Sequence, residues 1–301
     1  MGVCIIGSLN LDIVCRVAEL PRPGETVAGG RVERLAGGKG LNQAIAASRH
    51  GAAVAMRGAV GDDDAGRTLL AGLRREGVNV EAVVAIAGTD SGQAYIWVSA
   101  AGENMIVVAG GANAALATTQ ISGAAFDDQT VFLAQLETPV DAIRALFESP
   151  AARRGLTLLN AAPALAEGRG LFALSDIVVV NETELARYAG LAQAPALVDR
   201  IIDAARGLIC RPGQLIVVTL GAAGVVAVGA DQVHQAPGRP AQVVDTTGAG
   251  DCFCGVLAAC LSEGARIEDA LAVANTAAAL STQRPGASPS MPRRAETLGA
   301  L

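Results

Sequence analysis

Histidine is scarce in this chain of 301 residues, with His50 and His234 the whole supply, so a chemistry that needs an imidazole has little to draw on. Aromatic residues make up 3%, including one Trp and two Tyr, too few for a nucleic-acid platform that stacks bases on rings. Positive charge is also in deficit: the formal charge is −6 and the isoelectric point about 5.0, the opposite of a surface made to sit on nucleic acid or anionic lipid. The six cysteines (Cys4, Cys15, Cys210, Cys252, Cys254, Cys260) lack paired metal-ligand spacing, Cys252-x-Cys254 being too close and without a partner pair, and read as reduced, buried thiols. A long hydrophobic run is missing too. The longest candidate, residues 215–230, is too short for a span and is interrupted by Gly221, Gly224 and Gly229, so it reads as two buried strands despite a mean hydropathy of +0.40. No charged segment precedes an apolar one at residues 1–7, which read as an opening strand, and a cytoplasmic, membrane-free protein is expected.

What is present is core material. Apolar residues make up 51%, mostly Ala, Val, Leu and Ile, which excludes intrinsic disorder. With no linker, repeat or low-complexity tract, one domain over residues 1–301 is expected. From about residue 130, aliphatic runs (131–136, 156–160, 176–180 and 215–220) alternate with longer Ala-rich segments, the pattern of an α/β fold whose mostly parallel sheet is covered by helices on both faces. Thr138-Pro139 reads as a helix start. The acidic run Asp62-Asp63-Asp64 reads as a solvated helix cap. Two segments break the alternation and read as antiparallel strands without helices. One holds strands over 12–17 and 25–35 around the turn Pro21-Arg22-Pro23-Gly24; the other is a hairpin over 93–99 and 104–108 carrying Trp97 and Tyr95. Drawn from about 11–35 and 91–109, they form a small β-sheet lid able to exclude water from a site.

The most specific segment is Asp245-Thr246-Thr247-Gly248-Ala249-Gly250-Asp251-Cys252-Phe253, entered by a strand-like run 241–244 and left by an apolar helix over 252–261. Gly248, Ala249 and Gly250 carry no bulk, so successive backbone N–H groups at a helix N-terminus can hold an anion, with Asp251 beside it in the first turn. A carboxylate there also caps a helix, which would suffice for a lone Gly-x-Gly-Asp but not for the whole string.

That string resembles the C-terminal signature of the ribokinase-like (PfkB) carbohydrate kinases, and Gly37-Gly38-Lys39-Gly40-Leu41-Asn42-Gln43-Ala44 resembles their N-terminal one. Gly7-Ser8-Leu9-Asn10-Leu11-Asp12, Gly111-Ala112-Asn113-Ala114-Ala115-Leu116, Gln135-Leu136-Glu137 and Asn181-Glu182-Thr183-Glu184 follow in the same order, so the resemblance spans nearly the whole chain. It implies a ribokinase-like fold, MgATP as phosphoryl donor and a small sugar as acceptor. Residues 102–116 and 284–290 look more like the ribose-phosphorylating members than the fructose or nucleoside kinases. The implied reaction is transfer to the 5-hydroxyl of D-ribose, giving ribose 5-phosphate and ADP. A kinase for deoxyribose, fructose, 2-keto-3-deoxygluconate or a nucleoside is the alternative, and a non-catalytic sugar- or nucleotide-binding regulator a more distant one. A dinucleotide oxidoreductase fails for want of Gly-x-Gly-x-x-Gly after the first strand.

By resemblance Asp251 is the catalytic base, with the N–H groups of Gly248, Ala249 and Gly250 as the anion hole. Asn10, Asp12, Gly38, Lys39, Asn42 and Glu137 contact the sugar, with Ala94 and Ile106 as an apolar wall over it. The residues agree in part: Asn10 and Asp12 share one face of an alternating strand, and residues 33–40 are no Walker A loop, since Glu33 and Gly40 stand where it needs Gly and Ser/Thr. ATP falls to Asn181, Glu184, Thr219, Gly221, Gly224, Gly250 and Asn275, with Glu184 positioning Mg²⁺ through water. A monovalent cation, K⁺, falls to Asp245, Thr247, Ser281, Arg284, Gly286 and Ser290, several of them through backbone oxygens. Cys252 and Cys254 stand where relatives usually carry Thr and Asn; inert packing is expected of both. A homodimer through the lid is expected as well.

Overall fold

The computed structural model describes residues 2–121 and 130–301; Met1, part of the expected opening strand, lies outside them. Nine strands form the large sheet. They are β1 (Gly2–Ile6), β4 (Ala53–Gly61), β5 (Asn79–Ile86), β8 (Val131–Gln135), β9 (Leu156–Asn160), β10 (Ile177–Asn181), β11 (Leu215–Thr219), β12 (Gly224–Val228) and β13 (Val233–Pro237). Their spatial order is β13-β12-β11-β10-β9-β8-β1-β4-β5. All neighbours are parallel except the first two pairs in that order, where β12 runs antiparallel to both β11 and β13. The expected mostly parallel sheet is therefore present, and residues 215–230 do form two buried strands.

Alternation along each strand sorts its side chains into two cores. Val3, Ile5, Leu133, Leu158, Val179, Val217 and Val225 face one way, under α1 (Lys39–Arg49), α2 (Asp64–Arg75), α6 (Ala249–Ser262) and α7 (Ile267–Ser281). Cys4, Ile6, Phe132, Leu159, Val178, Val218 and Val226 face the other, under α3 (Val140–Phe147), α4 (Glu182–Tyr188) and α5 (Val198–Arg206). A short α8 (Arg294–Gly299) closes the C-terminal region. No helix among the described residues is long and apolar enough to cross a membrane.

The remaining strands, β2 (Asn10–Val17), β3 (Gly29–Gly37), β6 (Gly92–Val98) and β7 (Asn104–Ala109), form a second sheet in the order β3-β2-β6-β7. Its two hairpins are antiparallel as expected, but they join through a parallel β2–β6 pair. Asn10, Asp12 and Val14 share a face with Gly92, Ala94 and Ile96 and, one strand further, with Val108 and Ile106.

Several local expectations are corrected. Residues 241–244 form no strand, and Val243 and Val244 are exposed, because no neighbour offers them a ladder. The strand expected over 25–35 starts at Gly29, after the turn region. Pro139 is itself the residue before the helix (φ −55°, ψ 130°), not its first turn, and the buried Thr138 hydroxyl caps nothing. Of the six thiols, Cys210 is exposed and Cys15 half-buried. Asp63 does cap α2, accepting from Gly66 N–H at 2.7 Å, and also binds Ser91 through both its N–H and its hydroxyl.

Candidate active site

The site forms where the strands of the large sheet end, as open parallel sheets dictate. Gly248 takes a left-handed conformation (φ +77°) that turns the chain into α6, and a Cβ there would come within 2.8 Å of Ala287. Ala249 N–H folds back onto the Thr246 carbonyl and Cys252 N–H bonds the Gly248 carbonyl. The N–H groups of Gly250 and Asp251 have no acceptor among the described residues, leaving two donors at the positive end of a fourteen-residue helix.

The Asp251 side chain is 6% exposed. Its Oδ2 accepts from Asn42 Nδ2 at 3.0 Å and its Oδ1 from Gln43 Nε2 at 2.9 Å. Both amides sit in the first turns of α1, which is docked by its N-terminus: Leu41 N–H bonds the Ser8 carbonyl, and Ser8 Oγ and Lys39 N–H both donate to Glu137 Oε2, at 2.5 and 3.2 Å. That docking needs glycine. A Cβ on Gly40 would lie 2.6–2.7 Å from the backbone of Gly7 and Ser8.

Charge concentrates around Asp251. Lys39 is held above the ordinary lysine range by the Asp251 charge, which with Glu137 and Glu184 overcomes its burial. Asp12 is pushed up to about 7 by burial, then by the charges of Glu137 and Asp251. Burial also raises Glu184, against the N–H of Asn181 and the charge of Lys39. Asn181 and Glu184 form a reciprocal cap at the start of α4, each side chain bonding the other's backbone N–H at 2.8 Å. That bond uses Glu184 Oε2, and Glu184 lines the same cleft as Asp251.

Lys39, Asn181, Glu184, Thr219, Gly221, Gly248, Gly250, Asp251 and Cys254 line one cleft of about 460 Å³. Asn42 joins it through Asp251. Asn10 is turned by Asn113, whose Nδ2 donates to Asn10 Oδ1 at 2.8 Å while its Oδ1 and Nδ2 bond the Leu9 backbone. Ala94 is buried and Ile106, on the same face of the small sheet as Asp12, is half exposed. Gly38 (φ +92°) immediately precedes α1. Two expected nucleotide residues stay outside the cleft: Asn275 spends its amide on the Pro237 carbonyl, and Gly224 (φ +105°) is pressed against Ala236 and Gly238. In the loop expected to hold a monovalent cation, Asp245 accepts from Thr247 N–H at 2.9 Å and from Gly286 N–H at 2.8 Å. These bonds outweigh burial and hold its carboxyl below the usual range. Ser281 and Ser290 hydroxyls bond carbonyls three residues back, and Arg284 pairs with Glu296. Burial pushes the Cys252 thiol up to about 12 and Cys254 well above the ordinary range, so both are protonated packing groups.

The family model described as "pfkB family carbohydrate kinase" matches residues 2–294. This chain belongs to that family. PfkB relatives include the ribokinase of Haemophilus influenzae, 35% identical over 99% of this chain and 97% of that protein. A bifunctional ribokinase/ribose-5-phosphate isomerase A of Fructilactobacillus sanfranciscensis is 34% identical over 99% of this chain, which spans 56% of that longer protein. Among solved structures, Arabidopsis thaliana ribokinase complexed with ribose and ATP superposes with a TM-score of 0.86 at 29% identity, covering 99% of this chain and 98% of that one. The expected site residues included Asp251, Asn10 and Glu137 but gave no role to Gln43, which holds Asp251, to Gln135 and Asn160, which hold Gln43, to Asn113, which holds Asn10, or to Ser8, which holds Glu137. The available signal was polarity out of place: Gln135 and Asn160 end buried, mainly aliphatic strands.

Proposed function

We propose that this carbohydrate kinase transfers the terminal phosphoryl group of ATP to the 5-hydroxyl of D-ribose, giving ribose 5-phosphate and ADP. The observation that carries the reading is the Asp251 carboxylate at the start of α6, held by two amides next to two unused backbone N–H groups. Asp251 takes the hydroxyl proton as the sugar oxygen bonds to phosphorus and the bond from phosphorus to the ADP oxygen breaks. The N–H groups of the Gly248–Asp251 turn and the Lys39 ammonium offset the negative charge on the transferred phosphoryl oxygens.

Asn10, Asp12, Asn42 and Glu137 supply acceptors for ring hydroxyls; Asn42 Oδ1 is buried without a partner, as an atom awaiting a hydroxyl would be. Ala94 and Ile106 cover the sugar from the lid. Asn181, Thr219 and Gly221 border the nucleotide end of the cleft.

Glu184 fits magnesium: one buried carboxylate with an oxygen to spare is what a hydrated cation carried by phosphates needs, and no described group of three or more acidic, His or Cys side chains forms a cage of its own. When bound, the metal neutralises phosphate charge. The ionised Asp245, bridging two loops beside the α6 N-terminus, fits a monovalent cation, K⁺, whose shell would draw on oxygens of Thr247, Ser281, Arg284, Gly286 and Ser290. We also infer one working domain over residues 1–301, a cytoplasmic setting and a homodimer formed through the lid.

The test is kcat/KM for ribose against 2-deoxyribose. A site whose carboxylate and amides bind adjacent hydroxyls favours ribose by about 10-fold or more; equal values would overturn the assignment of the sugar.

A further inference from the structure

Gln43 is fully buried, and its amide is saturated in one orientation. The two Nε2 hydrogens go to Asp251 Oδ1 at 2.9 Å and Asn160 Oδ1 at 3.1 Å, while Oε1 accepts from Gln135 Nε2 at 2.5 Å. A flipped amide would turn its oxygen towards two acceptors and its nitrogen towards a donor, so the network admits one arrangement. Helix packing sets the reach. A Cβ on Gly255 of α6 would meet the Gln43 carbonyl oxygen at 2.4 Å and the Ala46 side chain at 2.7 Å, so α1 and α6 touch backbone to backbone at this point.

We propose that Gln43 is the positioning residue for Asp251: it fixes Oδ1 from behind, with Gln135 and Asn160 fixing Gln43 in turn, so that Oδ2, on the side of Asn42, is the oxygen that takes the substrate proton. The proposal rests on the reading of Asp251 as the base. Two neutral amides, Gln43 on Oδ1 and Asn42 on Oδ2, hold the carboxylate, while Lys39 lies in the same cleft. The other titratable groups that feel the Asp251 charge are Asp12 from β2, Lys39 from α1, Glu184 from α4, and Cys252 and Cys254 from α6, with Glu137 after β8 acting on Asp12 and Lys39.

The test uses Gln43→Met, which keeps length and removes the donor, alone and with Asp251→Asn. The single variant is expected to lose about 10–100-fold in kcat with both KM values within about 3-fold of the parent. In the Asp251→Asn background it should change the residual rate less than about 2-fold, because the group it positions is gone. Gln43→Glu should outperform Gln43→Met increasingly as pH falls, where a protonated carboxyl can donate to Oδ1. An unchanged kcat in Gln43→Met, or the same fractional loss in both backgrounds, overturns the proposal while Asp251 as base stands. Near-parental turnover by Asp251→Asn overturns both. Should Gln43→Met not fold, Gln135→Met, which touches Asp251 only through Gln43, decides by the same two readings.

Discussion

In the large sheet, β8 and β12 are buried at every residue and β9, β10 and β11 at all but one; in the small sheet, β7 is exposed at all six. The large sheet lies between two helical layers, and its carboxyl edge carries the groups proposed for the chemistry: Asp251 at the head of α6, Lys39 and Asn42 on α1, Glu184 on α4. The small sheet has two free edges, β3 and β7, and contributes Asn10, Asp12, Ala94 and Ile106. The division is physical. Proton and phosphoryl transfer need atoms fixed within fractions of an ångström, which dense packing supplies, whereas a lid must move, and a sheet with little buried surface moves at low cost.

Breaking the packed side has the largest effect. Asp251→Asn should reduce turnover by about 10³-fold or more while leaving nucleotide and sugar affinity nearly intact, as measured by steady-state kinetics and calorimetry; near-parental turnover would remove Asp251 from the chemistry. Next comes Gly40→Ala, which forces the Gly7–Ser8 backbone and α1 apart and should cost about 1–3 kcal/mol in urea unfolding, with a parallel loss of activity.

At the border between the regions, Asp12→Asn separates stability from function. Asp12 holds its proton to about pH 7 in the folded chain, whereas the unfolded chain releases it near pH 4. The folded state therefore binds more protons across that window, and the parent loses stability as pH rises from about 4 to about 7. The variant should be the more stable by ~2 kcal/mol at pH 8, a figure reduced for solvent at the cleft, and little different at pH 4. Its kcat/KM for ribose should nonetheless fall about 10–100-fold. A stability gap independent of pH would contradict the raised Asp12.

The smallest effect belongs to the lid edge. Val107, 57% exposed on the face opposite Asp12, should accept lysine with less than about 0.5 kcal/mol change in stability. A lysine there should still convert a lid-paired dimer to monomers in light scattering; an unchanged oligomer would place the dimer elsewhere.

How much was legible in the sequence follows the same line. The strands at 156–160 and 215–219 stood out because β-branched and aliphatic runs between turn signals have few other uses. The Gly248–Asp251 turn stood out because Gly248, Ala249 and Gly250 carry no bulk ahead of an apolar helix, and the structure adds that Gly248 is left-handed. Residues 241–244 misled because two valines imitate a strand where no partner strand lies. The parallel junction of β2 with β6 joins segments some 80 positions apart, a distance at which local pattern is silent.

The sequence by itself determined the fold class, the PfkB motifs and the chemical types at the site, since periodicity, glycine placement and charge are properties of neighbouring residues. Only the tertiary structure decided which amide grips which carboxylate oxygen, that Asp12 holds its proton to about pH 7, and that Gln43, Gln135 and Asn160 form one chain behind Asp251. Those facts depend on burial and on contacts between residues as far apart as 43 and 251, which come into being only when α1 and α6 close on each other.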